Sequence, residues 1–71
     1  MKFIIDYTTK DIAIHPIILE DIRSIVVTDD AIEIEYLGEG TEILNHNRNR
    51  DRLSEQMIEF ITTDKTNLAI S

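Results

Sequence analysis

AIEIEYL, residues 31–37, alternates apolar and acidic side chains with a period of two. In an extended chain Ile32, Ile34 and Tyr36 fall on one side and Glu33 and Glu35 on the other, the pattern of an antiparallel strand with one face buried and one in water. The stretch is bounded by turn chemistry at both ends. Asp29 and Asp30 precede it, and short acids bond readily to nearby backbone. Gly38-Glu39-Gly40 follows, with glycines free to take positive φ. Beyond those turns lie IRSIVVT (22–28), apolar and β-branched, and TEIL (41–44), short enough to pair back. Residues 22–44 therefore read as a three-stranded antiparallel meander.

On the amino-terminal side, KFIIDYT (2–8) and DIAIH (11–15) are two alternating runs separated by a polar break, the signature of a β-hairpin. The aromatic residues orient the first strand: Phe3, Ile5 and Tyr7 share a face assigned to the core, with Lys2, Ile4 and Asp6 opposite. Pro16 lacks an amide hydrogen, so the second strand ends there or lies on an edge. IILED (17–21) fits one helical turn or an irregular connection.

On the carboxy-terminal side, Asn47, Asn49 and Asp51 are each suited to cap a helix. The helix is predicted over about 50–62, with Leu53, Met57, Phe60 and Ile61 on one stripe and Ile58 widening it. Tyr7, Tyr36, Phe3 and Phe60 all fall on faces predicted to be core. The tail LAIS either adds an edge strand or frays. The order β-β-β-β-β-α, with a possible last strand, predicts a single small α+β domain: an antiparallel β-sheet (hairpin plus three-stranded meander) with one C-terminal helix packed on one face.

Composition narrows the function. Seventy-one residues make one domain, and a core this small usually needs a staple or a partner subunit. The absence of cysteine removes disulfides and thiolate metal sites, which leaves an efficient core or self-association as the source of stability, and a homodimer along an exposed sheet edge or through the helix is expected. Fourteen isoleucines against six Gly, Ala and Pro residues favour strands. No apolar run approaches the ~20 residues of a membrane span, and no signal peptide is read at the start; a protein of the cytoplasm, of the producing cell or of an infected host, with no membrane partner is expected. No phosphate-loop, nucleophile-elbow or HExxH pattern is present, which argues against an enzyme, and neither a metal nor another cofactor is expected.

Two charge features remain. The net charge is −7, and its densest acidic stretch comprises Asp29, Asp30, Glu33, Glu35, Glu39 and Glu42. Such a strip fits a docking surface for a protein with a basic face, and it repels free nucleic acid. Opposed to it stands His46-Asn47-Arg48-Asn49-Arg50-Asp51-Arg52, which holds three of the four arginines. That segment carries +2 and the remainder of the chain −9. The arginines precede or open a helix, where the dipole disfavours cations, so they should have partners. Internal or intersubunit ion pairs are one option; a phosphate or nucleic acid held by Arg48, Arg50 and Arg52, with His46 beside them, is the alternative. His15 is expected to end a strand at the surface and His46 to sit in the polar loop, neither as a metal ligand.

In size and composition the chain resembles phage-encoded modulators of host proteins, including anti-restriction inhibitors that mimic DNA. The resemblance implies a non-enzymatic inhibitor that covers a nucleic-acid-binding surface; it rests on no motif and transfers no site residues. A small structural subunit without a ligand is the remaining reading.

Overall fold

A computed structural model describes all 71 residues. The fold is α+β, with strands β1 (Lys2–Asp6), β2 (Ala13–Ile17), β3 (Ile22–Val27), β4 (Ala31–Tyr36), β5 (Thr41–Asn45) and β6 (Asn67–Ile70), and one helix, α1 (Arg50–Thr62). A single 3₁₀ turn, Leu19–Asp21, joins β2 to β3. No helix is long and apolar enough to cross a membrane.

The meander is present as β3-β4-β5, antiparallel throughout. The hairpin β1–β2 does not join it. It forms a second sheet of order β2-β1-β6, in which β6 runs parallel to β1. The tail is thus an edge strand, and Pro16 sits on the other edge strand, where its missing N–H leaves no ladder bond unmade.

The two sheets and α1 share one core. Ile4, Ile17, Leu68 and Ile70 come from the first sheet, Ile32, Ile34 and Leu44 from the second, and Leu53, Met57 and Phe60 from the helix. Fully burying one such aliphatic side chain is worth about 1.5–3 kcal/mol. β3 reaches this core from both ends because of a bulge. The register with β4 shifts between Ile22 and Ser24, leaving Arg23 as the extra residue. The shift puts Ile22 opposite Tyr36 while Ile25 and Val27 stay opposite Ile34 and Ile32, so all three apolar residues face inward despite their odd–even mismatch.

The predicted orientation of β1 is reversed. Ile4 is completely buried, and cross-strand pairing puts His15 and Leu68 on its side. Phe3 and Ile5 are only partly covered and Tyr7 is 50% exposed, on the side away from the core. Of the four aromatics, Phe60 alone is fully buried. Ile58 also points outward, so the helix stripe is narrower than the sequence suggests.

The helix ends are tied down from two directions. Asn49 is the N-cap, its Oδ1 accepting from the Arg52 amide at 3.0 Å. At the other end no basic residue lies in the last turn of the helix. Lys2, from β1, supplies one: its Nζ donates to the Thr63 carbonyl at 2.8 Å and to that of Lys65, and lies 5.2 Å from the Phe60 ring centre.

Candidate functional site

The six acids of the meander do not form one strip. Cross-strand partners share a face, so the register defines the rows on the outside of the second sheet. One row is Val26, Glu33, Ile43 and the next Ser24, Glu35, Thr41. Glu33 therefore stands between two apolar side chains, Val26 and Ile43, which are 50% and 59% exposed. Glu35 is paired to Arg23 at 3.4 Å, and both groups are about half exposed. Asp29 and Asp30 lie in the β3–β4 turn and Glu39 in the β4–β5 turn, at opposite ends of this face.

Glu42 belongs elsewhere. It is opposite Ile34 and so lies on the inward side of β5. There it accepts a 2.9 Å hydrogen bond from the Tyr36 hydroxyl and lies 3.5 Å from His15 Nδ1 on the other sheet. His15 does not end its strand at the surface; its Nε2 is buried without a hydrogen-bond partner. Burial first, and the bond to Glu42 second, raise the Tyr36 phenol above its ordinary value of 10.0. In the same region the Thr8 hydroxyl holds the Asp6 carboxyl below 3.8; burial opposes this, and the Thr8 amide and His15 reinforce it. The His15–Glu42 contact joins the sheets, and no group of three His, Cys, Asp or Glu residues is placed to hold a metal ion.

The arginine segment is a junction. His46 is buried, with 3% exposure, and is not a loop residue facing water. Its Nε2 is 2.9 Å from the Thr28 carbonyl, which can only accept, so Nε2 carries the proton. Nδ1 accepts from the Arg48 amide at 3.0 Å. The neighbouring backbone continues the tie: the His46 amide donates to the Asp30 carbonyl and the Asn47 amide to Ser71. Arg48 then spans β6 and α1, donating to the Ala69 carbonyl at 3.0 Å and to Gln56 Oε1. Arg50 lies 3.6 Å from Asp29 and 3.4 Å from Asp51, both exposed. Arg52 makes no side-chain hydrogen bond or ion pair and is exposed. The three guanidinium groups thus serve different surroundings.

Two further surface features were not legible as sites. A shallow concavity is lined by Met1, Lys2, Ile17, Ile18, Leu19 and Glu20. The outer face of the first sheet carries Phe3, Pro16 and Asn67 in one row and Ile5, Ile14 and Ala69 in the next; Tyr7 and Ile12, just past the paired residues, are exposed. None of these side chains carries a charge.

The class defined by these observations is a small two-sheet α+β protein with one helix, an apolar outer sheet face and a mixed apolar and acidic one. Comparison with known protein families, with curated proteins and with solved structures finds no match to the chain.

Proposed function

We propose that this protein is a non-enzymatic binding module that docks on the basic surface of a partner protein through the outer face of the β3-β4-β5 sheet. The observation that carries the reading is Glu33 set between exposed Val26 and Ile43, with Glu35 beside it and Asp29, Asp30 and Glu39 at the ends. Exposed aliphatic side chains flanking acids on one face give the mixed apolar and charged character of a transient protein interface. Arg23 is the only basic residue in these three strands, and Glu35 pairs with it. A partner surface of the kind that binds nucleic acid fits this charge. Glu42 is left out of the docking set because it is engaged with Tyr36 and His15.

The phosphate-binding alternative draws less support. Arg48 is committed to Ala69 and Gln56, and Arg50 already has two acids beside it. Arg52 alone offers an uncommitted guanidinium in a chain of net charge −7.

The test is capture of partners from lysate by wild-type protein and by the triple variant Glu33→Lys, Glu35→Lys, Glu39→Lys, followed by kinetics with the captured protein. A partner with a basic surface should associate at least ~10-fold more slowly with the variant, and more slowly as salt rises, because rim charges act mainly on encounter. Binding indifferent to both changes would overturn the proposal.

A further inference from the structure

The first sheet has apolar residues on both of its faces, which a two-layer core does not require. Ile4, Ile17, Leu68 and Ile70 fill the inward face. The outward face is nonetheless built from Phe3, Ile5, Ile14 and Pro16, with Ala69 and the uncharged Asn67 on the far edge strand, and exposed Tyr7 and Ile12 flank the hairpin turn. No other strand or helix packs over this face: Ile14 is 63% exposed, Phe3 and Ile5 are partly buried, and the helix packs from the core side. We propose that this face is where two copies of the chain meet, sheet against sheet, in a symmetric dimer.

Charge identifies the occupant. Each copy carries −7, so two copies repel wherever acids approach one another. The outward positions of β1, β2 and β6 contain no Asp, Glu, Lys or Arg. Stacked sheets lie about 10 Å apart, comparable to the screening length of roughly 8 Å at physiological salt, so charges elsewhere on each copy are held off. A basic foreign partner gains nothing from an uncharged face, whereas a second copy meets an identical apolar surface and leaves its acids in water. A two-fold axis needs only one self-complementary patch, which a row-built sheet face supplies.

Area agrees with this occupant. The face presents on the order of 500 Å², within the range of the largest apolar patches on monomers. Two such faces remove on the order of 1,000 Å² from water, the lower bound for a specific interface. An interface at that lower bound is expected to be weak and reversible, and its strength is read from the concentration dependence of the mass. This inference is independent of the acidic docking face, which lies on the other sheet.

Sedimentation equilibrium of the full chain from roughly 1 to 500 µM decides it. The mass should rise from 8.2 kDa toward twice that value. Added salt should leave the association unchanged or strengthen it, since no ion pair crosses the face and screening lowers the repulsion. Ile14→Arg should remain monomeric at the highest concentration with an unchanged far-UV spectrum, and Ala69→Arg, on the opposite edge strand, should do the same. Ile43→Arg, on the other sheet, should leave the dimer intact. A monomer throughout the range would overturn the proposal. So would a dimer that survives both Ile14→Arg and Ala69→Arg, one that Ile43→Arg alone disrupts, or one that salt dissolves.

Discussion

The Tyr36 hydroxyl donates to Oε1 of Glu42 at 2.9 Å, and this bond occupies the seam between the two sheets. The other carboxylate oxygen of Glu42 faces His15 of the first sheet, so one side chain of β5 addresses both partners. The pH consequence follows from the raised phenol. A tyrosine whose folded value lies above its unfolded one adds stability that is full below pH 10.0 and is lost as pH rises through the folded value. In a Tyr7→Phe background Tyr36 is the only tyrosine, so the absorbance change reports it alone. Its tyrosinate absorbance should develop above pH 10.0 in the folded protein, and Glu42→Gln should move the transition downward without abolishing the shift, because burial persists. A midpoint at or below 10.0 in the Tyr7→Phe protein would contradict this assignment.

The arginines should separate by variant. Arg48→Ala removes two hydrogen bonds that join β6 to α1 and should cost about 1–2 kcal/mol in urea denaturation. Arg48→Lys keeps the charge but not the two-pronged geometry and should fall between wild type and Arg48→Ala. Arg50→Ala and Arg52→Ala should each stay within about 0.5 kcal/mol, since exposed ion pairs contribute little. Wild-type protein should give no retarded band with DNA or RNA at ~150 mM salt. The reverse order, with full stability in Arg48→Ala and a retarded band lost in Arg50→Ala and Arg52→Ala, would restore the phosphate reading.

His46 should be the most sensitive polar position in the chain. Alanine there leaves the Thr28 carbonyl and the Arg48 amide without partners and opens a cavity, for a loss of about 2–4 kcal/mol. Glutamine can restore the donor to Thr28 and asparagine the acceptor for Arg48, so each should recover part of the loss. Equal destabilisation by all three, measured by chemical denaturation, would mean that packing and not the hydrogen-bond pair holds this residue.

Some of this was legible in the sequence and some was not, for identifiable reasons. The helix was readable because Asn49 caps it and Leu53, Met57 and Phe60 keep helical spacing; its observed range, Arg50–Thr62, agrees with that reading. The meander was readable because Glu33 and Glu35 mark a wet face. The orientation of β1 is not legible because Phe3, Ile4 and Ile5 are all apolar, so alternation carries no information there and side-chain size points the wrong way. The parallel pairing of β6 with β1 joins residues more than sixty positions apart, and no local pattern encodes it. His46 sits among seven polar residues that look solvated; its burial depends on the Thr28 carbonyl, which sequence does not bring near it. Glu42 and Glu33 are both acids on neighbouring strands, and only the register, which sets Glu42 opposite Ile34, separates their faces.

Lys2 offers the remaining test, since it closes a helix to which it does not belong. The last turn of α1 has only threonine side chains near its carbonyls: the Thr62 and Thr63 hydroxyls donate to Ile58 and Glu59, each at 2.7 Å. Lys2 satisfies the Thr63 and Lys65 carbonyls from outside and brings a cation to the negative end of the helix dipole. Lys2→Met keeps most of the aliphatic stem over Phe60 while removing the charge and the donors, so it isolates the capping contribution. The expected loss is about 1 kcal/mol. Amide exchange should accelerate at the carboxy-terminal turn of α1 and in the strand β6 that follows, and not in the β3-β4-β5 sheet. Lys2→Glu should cost more, because it places an anion at the same carbonyls. If Lys2→Met matches wild type in both denaturation midpoint and exchange at Glu59–Thr63, the contacts seen for Nζ contribute nothing and the threonines suffice to end the helix.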